Sequence, residues 1–171
     1  FADLFAGVGG MRIAFERAGG VCVLTSEIDE KALQTYRLNF KDTPTHKYVN
    51  DVLSLSPRDF GPKKIDVLVA GFPCQPYSIA GLRKGLEDDR GGEIFTALLE
   101  ILRTVKPSSF LLENVKGIRS HDKGQTFAYM RQSLEQCGYF LSDETLNSKD
   151  HANIPQNRER VFIVGFRDPA M

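Results

Sequence analysis

Residues 1–10 read Phe1-Ala2-Asp3-Leu4-Phe5-Ala6-Gly7-Val8-Gly9-Gly10, a strand-like run that breaks into glycines. Glycines at such a junction let the backbone turn tightly and approach a ligand at the start of the following helix. Helical spacing through Ile13, Phe15 and Ala18 supports that helix, and Gly19-Gly20 stops it. The spacing is not G-x-G-x-x-G, because Arg12 takes the third place, and this speaks against a dinucleotide pyrophosphate. Val21 to Ile28 reads as a second strand that ends near Glu27, where a carboxylate can accept hydrogen bonds from two ribose hydroxyls. A glycine turn with such an acid points to a nucleoside-containing cofactor, although a purely structural strand–turn–helix would carry the same glycines.

Outward from this stretch, apolar runs alternate with amphipathic ones, the pattern of an α/β fold with a mainly parallel sheet. Asp29 is placed to cap a helix through Leu33, Tyr36 and Phe40, and a weaker strand is expected near Tyr48 to Val52. Further strands are expected at Ile65–Ala70, Ser109–Val115, Tyr139–Leu146 and Val161–Phe166. Helices are expected at Glu93–Val105 and Phe127–Cys137, and a long polar loop from Gly71 to about Gly92. In open α/β sheets, ligands bind beyond the carboxyl ends of the strands, which here are Phe5, Glu27, Asp51, Ala70 and Glu113.

With 171 residues the chain suits one domain with a sizeable core, and 42% hydrophobic with 26% charged residues is ordinary for a globular protein. No apolar run approaches the roughly 20 residues that span a bilayer. Three cysteines without metal-ligand spacing argue against a disulfide framework and for a reducing compartment, with no metal site expected. Lysine plus arginine equals aspartate plus glutamate, so the net charge of zero lacks the basic excess common in nucleic-acid binders. Basic residues do gather locally at Arg83 and Lys84, at Lys116, Arg119 and Lys123, and at Arg158 and Arg160.

Three further constellations fall at strand ends. In Gly71-Phe72-Pro73-Cys74-Gln75-Pro76, two prolines bracket a cysteine among polar neighbours. Such a thiol can act as a nucleophile where local positive charge lowers its pKa. Cys22 and Cys137 read instead as small buried hydrophobes. In Phe110-Leu111-Leu112-Glu113-Asn114-Val115, a carboxylate emerges from a buried strand, where burial can ready it for proton donation. Alone, Glu113 would read equally well as a strand-end acid satisfied within the fold. In Gln156-Asn157-Arg158-Glu159-Arg160, two arginines at alternate positions of an extended segment point the same way.

Taken in order and spacing, FAGVGG, the strand-end Glu27, GFPCQPYS, LLENVKG and QNRER resemble the DNA cytosine-C5 methyltransferase family through nearly the whole chain. The tripeptides Pro73-Cys74-Gln75 and Glu113-Asn114-Val115 are the most specific part of the match. The resemblance implies a Rossmann-like methyltransferase fold, a mostly parallel sheet with helices on both faces. It implies S-adenosylmethionine as cofactor and S-adenosylhomocysteine as product. Phe5, Ala6, Gly7, Val8, Gly9 and Gly10 would hold the cofactor, with Glu27 on the ribose and Ile28 against the adenine. Asp51 would take the adenine amino group, Val52 its apolar side, and Pro73 would lie near the methyl donor. One departure is Glu93, where the family more often has an apolar residue at the outer edge of the cofactor.

The resemblance further implies that Cys74 attacks C6 of cytosine, that Glu113 donates to N3, and that Arg160 meets O2 with Arg158 in support. The base would be flipped out of DNA to reach them. Gln75 to Gly92 resembles the family's mobile catalytic loop, with Gln75, Ser78 and Arg83 as candidate DNA contacts. The family continues with a target-recognition domain and a returning helix that completes the cofactor pocket. Residues 1–171 are therefore expected to be an incomplete catalytic domain, completed by a missing C-terminal segment or a second subunit. Location would be cytoplasmic in a bacterium, as in restriction-modification systems, or nuclear in a eukaryote. A transfer-RNA cytosine-C5 methyltransferase shares the core motifs, although Pro76-Tyr77-Ser78-Ile79-Ala80-Gly81 looks more like the DNA enzymes. A non-catalytic subunit on the same fold is a third reading, against which Cys74, Glu113 and Arg160 stand together.

Overall fold

The computed structural model describes residues 1–62, 64–73, 90–168 and 170. Seven strands form one sheet in the order β3-β2-β1-β4-β5-β7-β6: β1 (Ala2–Leu4), β2 (Leu24–Ser26), β3 (Lys47–Val49), β4 (Val67–Ala70), β5 (Ser109–Val115), β6 (Phe140–Asn147) and β7 (Glu159–Phe166). The first five strands run parallel, while β7 pairs antiparallel with both β5 and β6. The helices are α1 (Gly10–Arg17), α2 (Glu30–Asn39), α3 (Arg90–Val105), α4 (Gln125–Gln136) and the short α5 (Ser148–His151). This is the expected α/β architecture, with every expected strand and helix present.

The first three strands are shorter than expected, each three residues long. At β2 the ladder ends at Ser26, and both carboxylate oxygens of the following Glu27 accept backbone amides. Helix α3 begins at Arg90, so Gly91 and Gly92 belong to its first turn and not to the expected loop. Asp29 caps α2 as anticipated, accepting from the amides of Lys31 and Ala32 at 2.8 and 3.0 Å, a cap that stabilises by about 1 kcal/mol.

The sheet is covered unequally. On one face Leu68, Phe110, Leu112, Val161 and Ile163 pack under Phe95, Leu98 and Leu102 of α3 and Phe127, Met130 and Leu134 of α4, all buried. Each such side chain contributes about 1.5–3 kcal/mol when it leaves water. On the other face, Phe15 and Met11 of α1 cover Phe1, Cys22 and Val69. Beyond α1 the same face shows Leu111, Phe162, Val164 and Phe166 only half-buried, and Phe140 exposed. Cys22 and Cys137 are buried, as their sequence context suggests. Among the described residues, no helix is long and apolar enough to cross a membrane.

Candidate functional site

At the carboxyl end of β1 the chain reverses sharply. Phe5 and Gly7 both take left-handed backbone angles, φ 56° and 55°, a conformation unfavourable for a bulky side chain and held by its surroundings. The Ala6 amide donates to the Ser26 carbonyl at 3.1 Å, tying the turn to β2. The Gly7 amide donates to Glu27 Oε2 at 2.7 Å, and Glu27 Oε1 accepts from the Asp29 amide at 2.8 Å. Two backbone donors therefore hold the carboxylate in one orientation, while each oxygen retains a lone pair for another donor.

A cavity of about 280 Å³ opens beside this turn, lined by Phe5, Ser26, Glu27, Ile28, Asn50, Asp51, Val52, Pro73 and Ile94. Six of those nine are expected from the sequence to hold the cofactor. Asp51 also caps the 3₁₀ turn Val52–Ser54, accepting from the Leu53 amide at 3.1 Å, so its place on the rim is built into the local fold. Ser26, Asn50 and Ile94 carry no role in the sequence reading. At the position of the Glu93 departure, Glu93 is exposed and the neighbouring Ile94 lines the cavity. The remaining turn residues divide. Ala6 and Gly10 line the adjoining cleft, Val8 is 58% exposed, and Gly9 packs against the ring of Phe40.

Phe5 also borders that second cleft, about 520 Å³, together with Ala6, Gly10, Met11, Gly71, Glu113, Asn147, His151, Arg158 and Arg160 among others. Here Arg160 Nε meets Glu113 Oε1 at 2.8 Å. The pairing follows from register: parallel contact between β4 and β5 stops at Ala70–Leu112, and antiparallel β7 places Arg160 opposite Val115. Gly71 lines the same cleft, close enough that a Cβ there would lie in ordinary contact, 3.4 Å, with Glu113 Oε2. Arg158 faces the same cleft from two residues away, as alternation along an extended segment requires.

Two asparagines fasten these elements. Buried Asn114 donates from Nδ2 to the Phe72 carbonyl at 3.2 Å, joining β5 to the segment that leads through Pro73 toward Cys74. Asn147 Oδ1 accepts from the Arg158 amide at 3.1 Å, and its Nδ2 donates to Asn157 Oδ1 at 2.7 Å, which sets the entry into β7. Sequence reasoning misses Asn147, whose only signal is that of a helix cap at the end of β6. Cys74, Gln75, Ser78 and Arg83 lie outside the described residues.

A larger hollow, about 660 Å³, lies at the amino ends of the strands between Phe1, Phe15, Val21, Phe60 and Ile65. It is mainly apolar and stands at the sheet edge opposite the Glu113–Arg160 pair. The two-cavity edge, with a carboxylate clamped beside a glycine turn and a second carboxylate paired to a guanidinium, is the candidate active site.

Comparison with known proteins identifies the family of the chain. Residues 1–170 match the model of the C-5 cytosine-specific DNA methylases. The chain is 47% identical to the type II methyltransferase M.HpaII of Haemophilus parainfluenzae, over 97% of this chain and 45% of that protein. It is 39% identical to the DNA-cytosine methyltransferase of Escherichia coli strain K12, over 98% of this chain and 42% of that protein. Among solved structures, the Dnmt2 methyltransferase of S. pombe superposes with a TM-score of 0.76 at 28% identity, covering 96% of this chain and 50% of the other. The chain thus spans about half the length of the curated relatives it matches. With a methyltransferase sheet, a carboxylate–guanidinium pair at its carboxyl edge and a family match along almost its entire length, this chain belongs to the C-5 cytosine-specific DNA methylase family.

Proposed function

We propose that this chain forms the catalytic core of an enzyme that transfers a methyl group from S-adenosylmethionine to C5 of a cytosine flipped out of DNA. The observation that carries the reading is the Glu113–Arg160 pair in a cleft that shares the Phe5 wall with the Glu27 cavity. The residues present fit the cofactor: Glu27 is held to accept from a vicinal diol, and Phe5, Ile28, Val52 and Ile94 supply apolar walls for a base. When bound, S-adenosylmethionine supplies an electrophilic methyl group.

The chain's own residues would do the rest. The Cys74 thiolate forms a bond to C6 of cytosine, and the ring electrons shift toward C5. A proton delivered by Glu113 to N3 keeps negative charge from accumulating on the ring. Arg160 holds O2 and the Glu113 carboxylate in one plane, and Arg158 supports it from the segment leading into β7. Once C5 carries the methyl group, water takes its proton, the electron pair of that C–H bond restores the C5–C6 double bond and expels Cys74 as thiolate, and N3 returns its proton to Glu113. Choice of the target cytosine falls to a further segment or partner subunit. Support for this comes from relatives about twice as long, and from the half-buried face of Leu111, Phe162, Val164 and Phe166.

The test is a duplex containing 5-fluorocytosine, incubated with cofactor and the protein and resolved under denaturing conditions. Fluorine cannot leave as a proton does, so a stable protein–DNA adduct is expected, and Cys74→Ser should form none. An adduct persisting in that variant would remove Cys74 from its role. Labelling of transfer RNA in preference to duplex DNA would reassign the substrate.

A further inference from the structure

Arg12 stands where a dinucleotide-binding turn has its third glycine, the residue that lets helix and strand pack closely. Here the side chain runs sideways from the first turn of α1 and is almost wholly buried, 1% exposed. Nε donates to Glu16 Oε1 and Nη1 to Asp42 Oδ1, both at 2.7 Å, while Nη2 reaches the Lys41 carbonyl at 3.5 Å. Burial opposes the charge, yet the bonds to Glu16 and Asp42 outweigh it and raise the pKa. The guanidinium carbon lies 4.4 Å from the centroid of the Phe40 ring and 5.2 Å from that of Tyr36.

The Phe40 ring is in turn packed against the glycine turn. A Cβ on Gly9 would fall 2.2 Å from Phe40 Cε2 and 3.2 Å from Tyr36 Cδ2, and Gly9 itself has φ 98°. Gly9, the Phe40 ring and the Arg12 guanidinium therefore form one contiguous stack, tied at its far end to the 41–46 segment through Asp42. We propose that Arg12 is a positioning residue for the cofactor turn. It holds the Phe40 ring against Gly9 and so fixes the Phe5–Gly10 backbone that presents the Gly7 amide to Glu27. Buried ion pairs often add little net stability while restricting geometry; here the geometry restricted is that of the turn. Where the inference concerns cofactor affinity, it rests on the proposed function.

The decisive measurement is amide hydrogen exchange in the full chain without cofactor, compared among wild type, Arg12→Met, Arg12→Lys and Phe40→Leu. Arg12→Met and Phe40→Leu should speed exchange across residues 7–13 at least tenfold, leaving β5 and α4 unchanged. Arg12→Lys should resemble Arg12→Met, because an ammonium neither stacks as a plane nor forks to two carboxylates. Unchanged exchange at residues 7–13, a uniform increase in every element, or full protection in Arg12→Lys would each overturn the proposal. Should Arg12→Met fail to fold, Phe40→Leu and Asp42→Asn decide the same question. Calorimetric titration with S-adenosylhomocysteine adds a second readout, with at least tenfold weaker binding expected in Arg12→Met. Absence of binding by the wild type would count against the cofactor reading, while the exchange result still decides the clamp.

Discussion

Asp3 sits in the middle of β1 with no exposed surface. The Tyr36 hydroxyl donates to Oδ2 at 3.2 Å, and Oδ1 has no hydrogen-bond partner among the described residues. Burial pushes its pKa up to about 7, outweighing the Tyr36 hydrogen bond and nearby Arg12, which pull it down. The folded chain thus holds this proton more tightly than the unfolded chain does. Asp3 accordingly contributes stability that is fully present below about pH 4 and is lost as the pH rises through about 7. From 3.8 to about 7, at about 1.4 kcal/mol per pH unit, the loss has an upper limit of about 4 kcal/mol. His46 and Asp42, both with lowered pKa values, act in the opposite sense and lose stability as the pH falls. They are common to wild type and Asp3→Asn, so the difference between the two proteins isolates Asp3. Urea unfolding from pH 4 to 8 should show Asp3→Asn gaining on the wild type as the pH rises. With a slope of about 2 kcal/mol/M, the midpoint difference should grow by up to about 2 M. A difference that stays flat across that range would refute the assignment of a buried, proton-retaining carboxyl to Asp3.

Glu113→Gln should lower the methyl-transfer rate at saturating substrates by about a hundredfold or more, the size of a lost general acid. Single-turnover kinetics on duplex DNA would measure it, and a change in KM alone would contradict the role. Glu27→Gln should weaken S-adenosylhomocysteine binding by roughly ten- to a hundredfold, since one charge-assisted hydrogen bond is worth about 1.5–3 kcal/mol; calorimetry reports it directly. Gly165→Ala would place a Cβ 2.3 Å from the Phe110 ring, so overpacking should cost about 1–3 kcal/mol in chemical denaturation. A Gly165→Ala variant as stable as the wild type would mean that β5 and β7 can separate without loss.

Local chemistry carried much of this protein in the sequence alone. The glycine turn, the Asp29 cap, the apolar β4 and the alternation that turns Arg158 and Arg160 one way are short-range features, and each is present in the fold. The lining of the Glu27 cavity was legible for the same reason: Phe5, Glu27, Ile28, Asp51, Val52 and Pro73 follow strand ends, and parallel strands bring their ends to one edge. What only tertiary structure decided is which of these groups meet across long separations. Pairing of Glu113 with Arg160 depends on the antiparallel insertion of β7 beside β5, a register that no local pattern encodes. Ile94 rather than Glu93 faces the cavity because the rotation of α3 about its axis is set by the core it buries. Arg12, in the sequence only a missing glycine, becomes a buried clamp because α2 and the 41–46 segment bring Phe40 and Asp42 to it.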